Sequence, residues 1–117
     1  MEAVYLAVGT CIGISILLIG LSIPMYLGKI KRNNWYGFRT TKTLSSDEIW
    51  YPANRESAFY FMIAGVFTFI GGVAIFFLRT ILPPETLVIV MIAVASLSLI
   101  GAVIKSFMFL SKITKGN

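Results

Sequence analysis

The sequence predicts an all-α integral membrane protein with three transmembrane helices. A motif loop and a short interfacial helix are predicted between the first two. Only 13% of the 117 residues are charged, about half of the roughly 25% usual in soluble domains. The charges leave uncharged runs at 3–28, 57–78 and 86–104. Each run approaches or exceeds the roughly 20 apolar residues that a helix needs to cross the hydrocarbon core. None alternates as a barrel strand does.

These runs define one membrane domain over residues 1–117. The first helix is predicted at about 3–28, the motif loop at 29–55, the second helix at about 56–78 and the third at about 85–110. Pro84 fits the start of the third helix, because proline is favoured at the first helical position. The first run is not predicted to be a secretory signal, because no basic residue precedes it and its apolar stretch is too long.

The basic residues predict the orientation of the helices. Six lie between the first two helices and three near the C-terminal end, whereas the connection between the second and third helices has only Arg79. Short basic loops stay in the cytoplasm. We therefore expect the N-terminus outside, and the motif loop and C-terminus inside. Membrane lipids are the expected partners of these charges. Nucleic acid is not expected, because the charges flank membrane helices and no recognition fold is visible.

Several catalytic chemistries lack the residues that they need. The chain has no histidine, and no acidic or basic side chain lies in the middle of an uncharged run. Asp47 and Glu48 would point about 100° apart on a helix, a poor geometry for a carboxylate pair. Cys11 is interpreted as a small apolar residue. We therefore expect no enzyme, no cofactor and no metal site, and ion-coupled transport is disfavoured because it uses intramembrane charges.

Small residues at helical spacing predict where the helices pack together. The sets are Gly9 and Gly13; Gly65, Thr68 and Gly72; and Ser98 and Ala102. Such residues let helix backbones approach closely in lipid. We expect them to pack the three helices of one chain, with a homo-oligomer as the open alternative.

The second half of the motif loop predicts the interfacial helix. Ser45 and Glu48 have the spacing of a capping box, with Leu44 and Ile49 at the flanking apolar positions. A helix is therefore expected to begin near Ser46, and Pro52 is expected to disrupt it after about one and a half turns. Trp50 and Tyr51 are typical of the membrane interface, which predicts an elbow lying on the membrane surface.

The first half of the motif loop combines a turn with anion-binding groups. Gly37 lies between two aromatic residues and indicates a turn that excludes a Cβ atom. Arg39 is followed by hydroxyls at Thr40, Thr41 and Thr43, near the start of the predicted short helix. Three interpretations remain open: Arg39 folds the loop back onto the helices, contacts a lipid phosphate, or binds a ligand or partner.

The motif residues as a set resemble the SdpI-like family of bacterial membrane proteins. They are Asn34, Trp35, Gly37, Arg39, Thr40, Thr43, Leu44, Ser45, Trp50 and Asn54. The resemblance implies a non-enzymatic protein of the bacterial plasma membrane that gives immunity to a secreted sporulation-delaying peptide toxin. It also implies a second role, in which the toxin-bound protein draws a cytoplasmic repressor to the membrane. The family's namesake has additional helices before the motif domain, and Pro52 departs from the expected pattern.

Three functional hypotheses follow. In the first, the protein protects the producing bacterium by binding a secreted, membrane-active peptide toxin. In the second, it is a membrane sensor or adaptor that docks a cytoplasmic regulator, such as a transcriptional repressor, through Trp35, Tyr36, Phe38 and Arg39, because aromatic residues and arginine often anchor interfaces. In the third, it is a small lipid or solute transporter, with an oligomer supplying the pathway that one chain lacks.

Overall fold

Three long helices make up most of residues 1–115, the part of the chain that the computed structural model describes. Helix α1 spans Glu2–Tyr26, α2 spans Asp47–Leu78 and α3 spans Pro84–Thr114. A connector (residues 27–46) joins α1 to α2 and contains a 3₁₀ turn at Thr43–Ser45. No strand occurs among the described residues. The predicted all-α class is confirmed.

All three helices are long and apolar enough to cross a membrane. Many of their large apolar side chains point away from the protein, including Leu6 and Leu17 on α1 and Ile92 and Leu97 on α3. Such an outward-facing apolar surface is unfavourable in water and favourable in lipid. The structure therefore fits a multi-pass membrane protein.

Helix α2 is central, because α1 and α3 both pack along it and contact each other over a shorter stretch. Its small residues permit this packing. A Cβ atom added to Gly65 would lie 2.8 Å from Ile19 Cγ1, and one added to Gly72 would lie 2.9 Å from Cys11 Cβ. Thr68, between them, is fully buried. The predicted packing face of α2 is confirmed.

The corresponding prediction for α1 is wrong. A Cβ atom added at Gly9 or Gly13 would meet nothing within 4 Å, so this pair does not pack against another helix of the chain. Residue spacing indicates which small residues share a face, but not which face meets a neighbour. The contacts that hold α1 against α2 instead come from residues such as Cys11, Ser15 and Ile19.

The two ends of the bundle are built differently. At one end Val4, Cys11, Ile75 and Leu87 form a buried apolar cluster beside the turn between α2 and α3. The connector lies at the other end, together with the C-terminal half of α3, where the rings of Phe38 and Phe107 meet edge to face with centroids 5.1 Å apart. The connector and the end of α3 thus share one end of the bundle, and which side of the membrane it faces stays a prediction.

Helix α1 ends at Tyr26 because of Gly28, which has a φ of +71°. The Gly28 N–H donates to the carbonyl of Met25 (3.1 Å) and the Lys29 N–H to that of Pro24 (3.0 Å). These two bonds form a Schellman motif, in which a left-handed residue closes the last helical turn. The chain therefore leaves α1 before the motif residues begin.

The predicted separate interfacial helix is wrong. Helix α2 begins at Asp47 and continues without a break through Pro52 to Leu78. Proline removes one backbone bond to the preceding turn, here to the carbonyl of Glu48. Tertiary contacts on both sides of Pro52 hold the helix in place, because Trp50 and Asn54 are both buried and bonded. The elbow is thus the first part of the second membrane helix.

The predicted capping box does not form either. Ser46, not Ser45, is the N-cap residue of α2, and its side chain makes no capping bond. The Ser45 hydroxyl instead donates to the carbonyl of Lys42 at 2.5 Å, within the 3₁₀ turn. Side-chain bonding to nearby backbone competes with capping for short polar residues, and here it prevails.

Candidate functional site

Asn54 fixes the connector to α2. Its side chain is 3% exposed, and its Oδ1 accepts a hydrogen bond from the Phe38 N–H at 2.7 Å. Its Nδ2 donates to the carbonyls of Trp50 at 2.9 Å and Phe38 at 3.4 Å. The amide therefore pairs both backbone groups of Phe38 in the manner of a neighbouring strand. A buried amide with its bonding groups satisfied specifies one position for the segment that it holds.

Gly37 is required at this junction for two separate reasons. Its φ of +114° is a conformation that residues with a Cβ atom rarely adopt. A Cβ atom there would also lie 2.7 Å from Asn54 Oδ1 and 3.1 Å from Met25 Cε. The predicted turn is confirmed, and the absence of a side chain also lets the backbone approach the Asn54 amide.

Trp50 is a buried anchor. Its side chain is fully buried, and its indole Nε1 donates to the carbonyl of Ile30 at 2.8 Å. Its ring therefore contacts protein and presents no wet edge to the lipid headgroups, and its depth in the membrane stays a prediction. An indole has one polar group, and the Ile30 carbonyl satisfies it within the protein. Trp50 and Asn54 are one helical turn apart on α2 and hold the beginning and the middle of the connector.

Asn33, which the motif does not include, organises the tip of the connector. Its Oδ1 accepts from the N–H groups of Trp35 at 2.8 Å and Tyr36 at 2.7 Å, and its Nδ2 donates to the carbonyl of Lys31 at 2.6 Å. This is an Asx turn, in which an Asn side chain replaces a backbone turn bond. The sequence signal was an Asn four residues before the glycine. Asn34 contributes through its backbone carbonyl, which accepts from Arg39 Nη1.

Thr40 and Thr43 bond to each other and to the backbone between them. The Thr40 N–H donates to Thr43 Oγ1 at 2.7 Å, and the Thr43 N–H to Thr40 Oγ1 at 3.1 Å. The Leu44 N–H donates to the carbonyl of Thr40 at 3.0 Å. Thr43 is fully buried. These two hydroxyls therefore stabilise the 3₁₀ turn and are bonded to each other and to the local backbone, not to Arg39.

The N-terminal end of α2 carries its own negative charges. Asp47 and Glu48 lie in its first turn, where their negative charges interact favourably with the positive end of the helix dipole. Arg32 Nε lies 2.8 Å from Asp47 Oδ1, and Arg32 Nη1 donates to the carbonyl of Leu44 at 3.1 Å. Both side chains are well exposed, so this ion pair adds little stability. An external anion would meet acidic side chains here.

Tyr36 and Phe38 point towards the helices. The Tyr36 hydroxyl donates to the carbonyl of Leu21 on α1, and burial raises the pKa of this phenol above its ordinary value. It therefore remains a protonated donor at neutral pH. Phe38 packs against Phe107 of α3. The connector thus contacts all three helices. Tyr36 bonds to α1, the backbone of Phe38 bonds to Asn54 of α2, and the ring of Phe38 packs on α3.

Trp35 and Arg39 are the large motif side chains that remain exposed, and the smaller side chains of Asn34 and Ser45 are exposed as well. Trp35 is 89% exposed. Arg39 makes one hydrogen bond, to the Asn34 carbonyl, and among residues 1–115 no carboxylate lies within ion-pair distance of it. An exposed indole beside an arginine with donors to spare is suited to binding.

A cleft of about 530 Å³ lies beneath the connector and between the three helices. Helix α2 forms its floor, α1 and α3 its walls, and the connector residues 35–40 its roof. Four of the motif residues line it: Trp35, Gly37, Arg39 and Thr40. Its other lining residues are mainly apolar: Leu18, Leu21, Ser22, Met25, Tyr36, Phe38, Ser57, Ala58, Phe61, Val103, Ser106 and Phe107. The remaining motif residues hold the roof in place.

This arrangement is suited to binding an amphiphilic ligand. The walls are apolar, and Arg39 is the one cationic residue among the lining side chains. Two polar groups of the interior, the hydroxyls of Ser57 and Ser106, bond to each other at 2.9 Å across α2 and α3. Among residues 1–115 no group of three potential metal ligands lies together.

Comparison with known proteins agrees with the motif. Residues 29–106 match the SdpI/YfhL protein family, so the match includes nearly all of the connector, all of α2 and most of α3. No curated protein and no solved structure matches the chain. The family match covers well over half of the 117 residues, and the chain belongs to the SdpI/YfhL protein family.

Proposed function

We propose that the protein is a membrane immunity protein, which protects the bacterium that expresses it against a secreted, membrane-active peptide toxin. The observation that carries the proposal is the family membership, which extends over the connector and the two helices that follow it. The absence of a histidine from the chain, and of acidic or basic side chains from the three long apolar runs, favours a binding role over catalysis or ion transport.

The outer surface of the bundle supports contact with such a peptide. Exposed apolar residues on α1 and α3 offer a face to an amphipathic peptide that lies in the headgroup region or inserts more deeply. By the charge rule, a toxin arriving from outside meets the turn between α2 and α3 first and the helix faces next. Binding in the bilayer would lower the concentration of free peptide that is able to assemble and permeabilise the membrane.

The connector serves as the scaffold of this unit. Its bonds through Trp50, Asn54 and Tyr36 reach α1 and α2, and Phe38 reaches α3. Loss of these contacts would detach the connector from the three helices, which would then no longer be held in their relative positions. This role accounts for the three buried motif residues, Thr43, Trp50 and Asn54, and it leaves Trp35 and Arg39 free for a ligand.

The test is survival of a toxin-sensitive bacterium that expresses the chain, with the membrane potential recorded during exposure to a sporulation-delaying peptide toxin. We expect the wild type to preserve both survival and potential, and Arg39→Ala to weaken protection at equal membrane abundance. Arg32→Ala is the matched control, because it removes the same charge from the same connector outside the motif. Absence of protection by the wild type would overturn the proposed function.

A second candidate is a membrane adaptor that docks a cytoplasmic regulator. The observation that favours it is the exposure of Trp35 next to Arg39, because such residues often anchor interfaces. Tyr36 and Phe38, also expected to take part, point towards the helices and are poorly placed to do so. The test is crosslinking in cells that the toxin does not affect. A cytoplasmic regulator that crosslinks to the wild type but not to Trp35→Ala would favour the adaptor.

A further inference from the structure

The cleft beneath the connector opens sideways, towards the surroundings of the bundle. Helices α1 and α3 contact each other over a much shorter stretch than either contacts α2, which leaves a gap between them. Leu21, Val103 and Phe107 line the cleft and are each about half exposed. The rim is therefore apolar, and a ligand entering through it comes from the hydrocarbon region.

The chemistry of the cleft changes from bottom to top. Its lower part is formed by apolar side chains and by three serines, Ser22, Ser57 and Ser106, of which the last two bond to each other. Its upper edge carries the Arg39 guanidinium, with Trp35 beside it. No carboxylate lines the cleft among the described residues. This distribution complements a molecule with an apolar tail and an anionic head.

The size and polarity of the cleft discriminate between a lipid tail and a peptide. A volume of about 530 Å³ falls in the usual range of ligand sites, yet it holds little more than about one turn of an α-helix 10 Å across. An extended peptide would bring backbone groups that need partners in a mainly apolar site, and the hydroxyls of Ser22, Ser57 and Ser106 offer few. An acyl chain needs no such partners.

We propose that the cleft binds one anionic glycerophospholipid, with an acyl chain between α1 and α3 and the phosphate on the Arg39 guanidinium. Arginine is well suited to a phosphate because its planar fork donates to two oxygens. Trp35 then lies at the level of the headgroup, where indole rings are favoured. The site shares Arg39 with the proposed function, but its test measures lipid binding by the purified protein and so stands whether or not the protein confers resistance.

The experiment is a lipid titration of the purified, delipidated full chain, followed by native mass spectrometry. The probes are phosphatidylglycerol, phosphatidylcholine with the same acyl chains, and inorganic phosphate. We expect one tightly bound phosphatidylglycerol, with an affinity about tenfold above that of phosphatidylcholine. Arg39→Gln should abolish this preference, whereas Arg32→Gln, which removes an equal charge outside the cleft, should retain it.

A second variant tests the position of the acyl chain. Val103→Trp places a bulky side chain at the half-exposed rim, where it can fill the gap without disturbing the buried packing. It should weaken binding of both phospholipids at unchanged thermal stability. Equal effects of Arg39→Gln and Arg32→Gln would overturn the proposal, as would binding of inorganic phosphate as tight as that of phosphatidylglycerol. It would also be overturned if Val103→Trp bound phosphatidylglycerol as wild type does but lost toxin protection, because a peptide would then be the occupant.

Discussion

The side-chain amide of Asn54 accepts the backbone N–H of Phe38 at 2.7 Å, across a separation of sixteen residues in sequence. This bond joins the connector to the buried face of α2. The same amide donates to the carbonyl of Phe38. One side chain therefore determines where the roof of the cleft lies.

Replacing Asn54 should destabilise the protein far more than replacing Asn34. Asn54→Ala leaves the N–H and carbonyl of Phe38 without their partner, and an unsatisfied buried group costs about 1–3 kcal/mol. Asn34→Ala should change little, because Asn34 uses its backbone carbonyl. Unfolding of both variants in detergent micelles checks this, and equal losses of stability would contradict the assigned role of Asn54.

Gly37→Ala should lower the free energy of unfolding by about 1–3 kcal/mol, the usual cost of a residue held in an unfavourable backbone conformation. The added methyl also collides with Asn54 Oδ1. Gly9→Ala is the control, because a Cβ atom there meets nothing within 4 Å and alanine favours the helix by up to about 1 kcal/mol. A Gly37→Ala protein as stable as wild type would show that the turn tolerates a side chain.

The two tryptophans should differ sharply in fluorescence quenching. In a Trp50→Phe protein the emission comes from Trp35, and acrylamide should quench it strongly because that ring is 89% exposed. In a Trp35→Phe protein the emission comes from the fully buried Trp50, and it should be blue-shifted and weakly quenched. Similar quenching constants for the two proteins, measured in the same micelles, would contradict this placement.

The ion pair between Arg32 and Asp47 should contribute little to stability. Its side chains are 41% and 63% exposed, and such pairs are worth about 0.2–1 kcal/mol. Asp47→Asn should therefore lower the free energy of unfolding by no more than about 1 kcal/mol, and the difference should shrink as salt is added. Urea or detergent titrations at low and high salt measure it. A loss of several kcal/mol, insensitive to salt, would mean that the pair is buried in the membrane environment.

The helices were predictable because lipid constrains sequence strongly. Uncharged runs as long as those at 3–28 and 57–78 have few alternatives to a membrane helix. Gly37 was predictable for a similar reason, because few residues other than glycine adopt its φ. Both predictions depend on local properties of the chain.

The errors arose where distant contacts decide the outcome. Pro52 is a local signal for a helix break, but the buried contacts of Trp50 and Asn54 override it. The Gly9 and Gly13 pair has the spacing of a packing face, yet the other helices lie on a different side. The cleft was not predictable, since residues 35–40, 57–61 and 103–107 meet there only after the helices have packed.

The continuity of α2 through Pro52 has a mechanical consequence. A helix of 32 residues is about 48 Å long, so α2 is one continuous rod from the far end of the bundle to the connector. A tilt of about 5° around one end of a rod of that length moves the other end by about 4 Å. Trp50 and Asn54 lie near the connector end of α2, so a tilt of the whole helix would displace the connector without any change in the backbone conformation of α2.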